Sequence, residues 1–389
     1  MGKPKLYVIL SRIPFPLDKG DKLRAFHQLK TLSKNYSIHL CCLSDKPITE
    51  LQVLELSSFT STITVHVLNK WKQYWQLLTA LLSVKPFQIH YFYQRKIAKA
   101  ISKQIDTLNP DFIYCQLIRV AEYVKDIHHI PKTMDYMDAF SMGMIRQASI
   151  NKGVKRYLMK VEGERLKQYE NRIFDYFNHH TIISEQDKQF INHTANYTIK
   201  VVPNGIDDSF LNCNNSVEKQ YDIVFVGNLS YAPNIDSCLF IIDELLPELI
   251  VKQPNIKILL AGTSPSEKIV EKSKDKDNIF ISGWVEDIRT SYLSSKICIA
   301  PLFIGTGLQN KLLESMALGI PCITTSLANN ALKAEPNSEI LIANSLQDFT
   351  AQIDYLLTDD NAYKSIVNNG KLFVKSHFNW KASSETIPF

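Results

Sequence analysis

The feature that most constrains this chain is a regular alternation of short, β-rich apolar runs with longer helical ones. In the first half, KLYVIL, SIHLCCLS, STITVHVL, DFIYCQ, KTMDYMD and HHTIIS read as strands; in the second, YDIVFVGN, IKILLAG, NIFISGW, KICIAPL, PCITTS and EILIAN do. Many are apolar over most of their length, as parallel strands covered by helices on both faces must be. Between them, residues 20–34 put Leu23, Phe26, Leu29 and Leu32 on one helical face, and residues 234–250 carry NIDSCLFIIDELLPELI. A long charged helical stretch over about residues 151–178 precedes the last strand of the first half. Strand and helix taking turns implies βαβ units, hence two doubly wound parallel sheets.

A length of 389 residues suits two domains rather than one core. The polar, asparagine-rich stretch NGIDDSFLNCNNSVEKQ at 204–220 has linker composition. The expected division is residues 1–200, residues 201–370, and a tail at 371–389 that returns to the first domain. The net charge of +5 is mild and no run of five basic residues occurs, which argues against a dedicated nucleic-acid groove. The seven cysteines include no CxxC pair, and Cys41, Cys42, Cys115 and Cys298 lie in apolar strand-like runs. They read as small hydrophobes kept reduced, not as a disulfide framework or a zinc site. The opening MGKPKLYVIL runs straight into SRIPFPLDKG and reads as a first strand, not a signal peptide. No window approaches the roughly 18 uninterrupted apolar residues of a membrane span.

Open α/β sheets place ligands outside the carboxyl ends of their strands, and two such domains imply a cleft between them. The loop Gly305-Thr306-Gly307 after KICIAPLFI opens the helix LQNKLLESMALG, which Gly319 and Pro321 should stop. A glycine loop at a helix start exposes unpaired N–H groups at the positive end of the macrodipole. Lys311 sits about one turn into that helix, where a cation costs roughly 0.3–1 kcal/mol. A Lys311–Glu314 pair returns only about 0.2–0.5 kcal/mol. Local energetics therefore leave the lysine poorly explained unless an anion binds there; a solvated ion pair or simple packing glycines are the plainer alternatives.

Three other stretches invite the same question. In SRIPFPLDKGDKLRAF, residues 11–26, Lys19, Lys22 and Arg24 cluster around Gly20 at a helix start, a place for an anion or a sugar, or a βα loop with surface lysines. In MDYMDAF, residues 134–140, Asp138 falls where the chain leaves the sheet, as a base, a hydroxyl acceptor or merely a helix cap. Asp135 accompanies it, but no third metal ligand is evident. In residues 70–96, Trp71, Trp75, Leu78 and Leu82 share a helical face flanked by Lys70, Lys72, Lys85, Arg95 and Lys96. Such a stripe either faces a core or lies in a membrane interface. The full G-x-G-x-x-G dinucleotide fingerprint is absent, which weakens a nicotinamide-dependent oxidoreductase reading.

Taken in order, VVPNGID at 201–207, VFVGNLSYAPNIDSCLFIIDELLPEL and PLFIGTGLQNKLLESMALGIPCITTS resemble the retaining GT-B glycosyltransferases of family 4, also called glycosyl transferases group 1. RIPFPLDKGDKLRAFHQLKTL and MDYMDAFS resemble a subgroup of bacterial sugar transferases from surface-polysaccharide pathways. The likeness covers most of the chain and is strongest over residues 201–326. It implies a GT-B fold of two Rossmann-like domains facing across a cleft, with a nucleotide-sugar donor held mostly by the second. By position, Glu314 matches the family acid that accepts hydrogen bonds from the donor ribose, and the 305–307 loop would face phosphates and sugar. Gly20 matches the first-domain glycine that closes over the diphosphate. The implied donor-binding set is Gly20, Asp21, Asn204, Gly227, Asn228, Gly305, Thr306, Gly307, Leu308, Gln309 and Asn310; the catalytic set is Asp138, Lys311 and Glu314.

The chain departs from the family pattern twice. Thr306 stands where a second glutamate is frequent, and NLSYAPN at 228–234 lacks the basic pair that often follows this strand. Lys311 is the candidate to supply the missing charge. The resemblance thus implies a retaining, metal-independent glycosyltransferase that moves a sugar from a UDP- or GDP-sugar to a saccharide or lipid-linked acceptor. It would be cytoplasmic, with residues 70–96 as a peripheral contact at the inner face of the plasma membrane. No cofactor and no nucleic-acid partner are expected. The alternative is a non-catalytic GT-B-like partner that binds nucleotide-sugar or saccharide.

Overall fold

The computed structural model describes residues 2–213, 217–304 and 307–389. These form two compact units, Met1–Asn204 with Trp380–Phe389, and Gly205–Asn379.

The first unit is built on seven strands: β1 (Lys5–Leu10), β2 (Ser37–Ser44), β3 (Thr62–Val67), β4 (Phe112–Gln116), β5 (Lys132–Asp135), β6 (His179–Ile182) and β7 (Lys200–Val201). Their order is β3-β2-β1-β4-β5-β6-β7, and every pairing is parallel. Strands that are buried on both faces, such as Leu6–Leu10 and Ile113–Gln116, explain the continuous apolar runs in the sequence. One face carries Tyr7, Ile9, Ile113, Cys115 and Met134 towards Ile97, Ile101 and Ile105. The other carries Leu6, Val8, Leu10 and Tyr114 towards Phe26, Leu29 and Leu32 of the helix Gly20–Leu32. Residues 380–389 belong to this unit: Trp380 stacks on His27 with ring centroids 4.9 Å apart, and Phe389 lies 5.1 Å from Tyr36 and 5.9 Å from Phe112. Residues 371–379, expected in the tail, stay with the second unit, because the helix Asp360–His377 buries Phe373 and Val374.

The second unit has six strands, β8 (Tyr221–Val226), β9 (Ile258–Ala261), β10 (Ile279–Gly283), β11 (Ser295–Ala300), β12 (Cys322–Thr324) and β13 (Leu341–Ile342). Their order is β10-β9-β8-β11-β12-β13, again with every pairing parallel. Both sheets therefore reverse direction of growth at one point, between β1 and β4 in the first and between β8 and β11 in the second. Loops at such a switch point diverge and leave room for a ligand. All seven cysteines are free thiols and six of them are buried, consistent with the hydrophobe role.

Three local expectations need correction. KTMDYMD is strand only through Asp135, since Met137 turns the chain with φ +62 and Tyr136 to Asp138 lie beyond the ladder. The 234–250 helix is not continuous: Ala232–Phe240 and Leu246–Lys252 are joined by a π-helical turn at Ile241–Leu245. Finally, the tryptophan stripe is not core-facing. In the helix Lys70–Ala80, Gln73 and Ala80 point inwards while Trp71 is 85% exposed and Trp75 69%.

Candidate functional site

At the second switch point, Gly227 follows the end of β8 and the helix Asn310–Ala317 begins after β11. Lys311 lies in the first turn of that helix, but its side chain is not a surface charge: the residue is only 9% exposed. Its ammonium runs back to the β8 end, donating to Asn234 Oδ1 at 2.8 Å and standing 4.2 Å from the centroid of the Phe225 ring. A Cβ on Gly227 would lie 3.2 Å from Lys311 Nζ and 2.7 Å from Asn234 Nδ2, so only glycine fits there without displacement. Asn234 Nδ2 in turn donates to the Asn228 carbonyl at 2.9 Å, while Asn228 Oδ1 accepts from the Ser230 amide and hydroxyl. Gly262, at the end of β9, has φ +141 and its backbone approaches so closely that an added Cβ would sit 1.7 Å from the Gly227 carbonyl oxygen.

Burial lowers the Lys311 pKa to about 8, with Cys298, Cys238 and Glu314 opposing the shift. An ammonium held, among the described residues, with one hydrogen bond and an aromatic face is under-satisfied, since it has three protons to donate. The surface-pair reading of Lys311 and Glu314 is therefore excluded: neither bonds the other, and Lys311 is turned inwards. Glu314, half-buried one turn further on, accepts from the Tyr292 hydroxyl at 2.8 Å. Burial raises its pKa, against the Tyr292 bond and the Lys311 charge. Its Oε2 is thus occupied, and Oε1 accepts nothing from the described residues. Leu308 is buried, and Gln309 Nε2 reaches the Gly307 carbonyl at 3.3 Å. Gly307 has φ +86, the left-handed conformation that the loop requires of a glycine, and Asn310 begins the helix. Gly305 and Thr306 lie outside the described residues.

The first unit has its own cluster at the carboxyl end of its sheet. Gly20 opens the helix Gly20–Leu32, and a Cβ there would meet Met137 Cε at 3.4 Å, so the β1 and β5 loops touch. Asp21 is ion-paired with Arg12 at 2.5 Å and Lys22 with Asp18 at 2.8 Å. The anion cluster expected of Lys19, Lys22 and Arg24 does not form. Arg24 is fully buried and bidentate to Asp135, with Nε to Oδ2 at 2.7 Å and Nη2 to Oδ1 at 3.0 Å. Tyr114 and Thr181 hydroxyls complete the coordination of Asp135, and Arg24 Nη1 donates to the Val202 carbonyl and to Asn204 Oδ1. Asp135 and Arg24 are thus a buried cross-link between β5 and the helix Gly20–Leu32, and Asn204 is 1% exposed and held by it.

Asp138 is half-buried and caps nothing; the following helix, Phe140–Ile150, has Ala139 at its cap position without a side-chain bond. Burial and the neighbouring Asp187 push the Asp138 pKa up to about 7, against the Arg24 charge. Asp187, in the first turn of the helix Glu185–Phe190 after β6, is itself buried, and its Oδ1 has no hydrogen-bond partner among the described residues. Asp138 can therefore exchange a proton near neutrality. Beside this cluster, a cavity of about 480 Å³ opens over the ends of β1, β2 and β3, lined by Arg12, Ser44, Lys46, Gln52, Tyr91 and Phe92 among others.

Sequence reasoning passed over Asn234, Tyr292, Gly262 and Asp187. Asn234 stands in the NLSYAPN segment already noted for lacking cations, so the local signal existed. Tyr292 and Asp187 act through tertiary contacts that no local spacing reveals.

Residues 220–359 match the family described as glycosyl transferases group 1. Over 173 residues the chain is 24% identical to a Klebsiella pneumoniae protein described as an uncharacterized 44.6 kDa protein in the cps region, covering 43% of this chain and 45% of that protein. A glycosyltransferase 1 domain-containing protein of Xenopus tropicalis is 22% identical over 143 residues, 35% of this chain and 41% of that one. The matches thus span less than half the length of either relative. Among solved structures, sucrose-phosphate synthase from Thermosynechococcus elongatus superposes with a TM-score of 0.72 at 15% identity, covering 98% of this chain and 97% of that one. Anabaena HepE gives 0.68 at 13% identity over 99% and 98%, and TarM 0.71 at 10% over 99% and 98%. The motif order, the two parallel sheets and these likenesses agree on a GT-B fold, with residues 220–359 matching the glycosyl transferases group 1 family.

Proposed function

We propose that this chain transfers a sugar from a UDP- or GDP-sugar to a saccharide or lipid-linked acceptor in cell-surface polysaccharide or glycolipid synthesis, with retention of configuration and without a metal. The observation that carries the reading is the under-satisfied Lys311 ammonium brought to Gly227 at the end of β8, with Glu314 one helical turn away. A departing nucleoside diphosphate develops negative charge, which a pre-positioned ammonium and a helix N-terminus stabilise. Glu314 Oε1 would accept from the ribose, with Tyr292 fixing the carboxylate's orientation. Asp138 would orient a sugar or acceptor hydroxyl; a front-face substitution needs no protein nucleophile.

HepE has been captured with UDP-glucose, and TarM from S. aureus with UDP and α-GlcNAc-glycerol, which supports a nucleotide-sugar donor and a saccharide partner here. The cps-region relative supports a surface-polysaccharide setting, and with it a cytoplasmic enzyme working at the inner face of the plasma membrane. A second reading, a non-catalytic nucleotide-sugar-binding partner, draws on Thr306 in place of a family acid. A panel of UDP- and GDP-sugars, with products followed by mass spectrometry, separates the two. The transferase reading expects nucleoside diphosphate release by wild type and its loss in Glu314→Ala. Donor binding without turnover across the panel would leave the binding-partner reading standing.

A further inference from the structure

The helix Lys70–Ala80 is amphipathic in the wrong direction for a globular protein. Trp71, Trp75, Leu78 and Leu82 follow at helical spacing and are 85%, 69%, 61% and 97% exposed, whereas the inward face offers Gln73, Gln76 and Ala80. Gln76 Nε2 donates to the Tyr93 carbonyl, but among the described residues Gln73 Nε2 and Gln76 Oε1 are buried without partners. A chain that buries amides and exposes tryptophans is holding the apolar face for something outside itself.

The surface continues onto a second helix. In Gly153–Phe174, Glu162 accepts from the Phe87 and Gln88 amides, and Arg165 donates to the Ala80 carbonyl at 2.8 Å. On that helix Tyr157 and Leu158 are also exposed, at 67% and 40%.

Charge selects the occupant. From residue 56 to residue 105 the sequence contains no aspartate or glutamate, but it contains Lys70, Lys72, Lys85, Arg95, Lys96, Lys99 and Lys103. Lys152, Lys155, Arg156 and Lys160 add to this at the start of the second helix. Lys85 is neutralised by Glu122 at 2.8 Å, but the other cations outnumber the acids here, and tryptophan and leucine flanked by cations match the headgroup region of an anionic bilayer, where indoles sit at the interface and lysines reach phosphates.

We propose that this face of the first unit seats on an anionic lipid bilayer, with the indoles of Trp71 and Trp75 inserted at headgroup depth. The proposal deepens the transferase reading by naming a lipid surface as the partner, and it resolves the acceptor class in favour of a lipid-linked saccharide. Tyr91, a lining residue of the first-unit cavity, belongs to the helix Phe87–Phe92, which packs against the helix Lys70–Ala80. The seated face would therefore bring the cavity beside the headgroups.

The test is flotation of the full chain with phosphatidylcholine vesicles, with and without phosphatidylglycerol, at low and high salt. Binding should require phosphatidylglycerol, weaken with salt, and place Trp71 and Trp75 within reach of brominated-lipid quenching. The double variant Trp71→Ala/Trp75→Ala should lose at least about tenfold in partitioning with its melting temperature unchanged, because both side chains are exposed. Absence of binding at low salt, or equal partitioning of the variant, overturns the proposal. So does a dimer in light scattering that the double variant abolishes, which would make a second copy the occupant. Calorimetry with UDP in the same preparations keeps the issues apart: vesicle binding can fail while UDP binds, and the reverse.

Discussion

Replacing Lys311 by methionine removes one charge and keeps most of the side-chain volume. A lysine held near pKa 8 instead of 10.5 bears a penalty on its charged form of about 3 kcal/mol, at about 1.36 kcal/mol per decade of proton affinity. Methionine escapes that penalty but leaves Asn234 Oδ1 unpaired, a cost of about 1–3 kcal/mol, so the two effects nearly cancel in stability. Binding behaves differently. If the ammonium contacts a diphosphate, the variant should lose about 1.5–3 kcal/mol of UDP affinity, or roughly 10–150-fold. The proton provides a sharper readout. At pH 8 the free protein is about half protonated at Lys311, and a bound anion would hold it fully protonated, so UDP binding should take up about half a proton. Calorimetry in buffers of different ionisation enthalpy measures that uptake directly. The folded pKa lies below the unfolded one, so the unfolded chain binds more protons between about pH 8 and 10.5. Wild-type stability should therefore rise with pH through that window, and the methionine variant should lack the rise. Unchanged UDP affinity with no proton uptake would return Lys311 to a purely structural role.

Two further outcomes follow from the first unit. The raised pKa of Asp138 means that its charged form is disfavoured in the fold, so Asp138→Asn should gain stability relative to wild type as pH rises from about 4 to 7 and level off above; melting temperatures across that range check it, and a constant gap refutes it. Arg24→Met strands the Asp135 carboxylate in the core and should cost about 3–5 kcal/mol in chemical denaturation, whereas the double change Arg24→Met/Asp135→Leu should recover part of it.

The alternation of apolar runs located the parallel strands because a strand buried on both faces leaves an uninterrupted hydrophobic signature. It missed the end of β5, where Met137 adopts positive φ and tertiary contacts, not local propensity, stop the ladder. Lys311 was recognisable as an anomaly because helix energetics disfavour a cation in a first turn, yet only the fold shows that its ammonium travels to β8. Arg24 misled for the complementary reason: in sequence it sits among lysines, and its partner Asp135 lies on a distant strand. The tryptophan stripe had the right period, but periodicity alone is blind to which way a helix is turned.

The placement of residues 380–389 has a consequence for synthesis. The second unit, Gly205–Asn379, is contiguous and can complete its core as soon as its own residues clear the ribosome. The first unit cannot, although it is made earlier. Ile387 and Phe389 fill its core beside Phe112, and Thr133 donates its hydroxyl to the Pro388 carbonyl. During translation the first-made sheet must therefore wait, with one flank uncovered, while the second unit is synthesised. Nascent chains stalled before residue 380 should display that flank to chaperones.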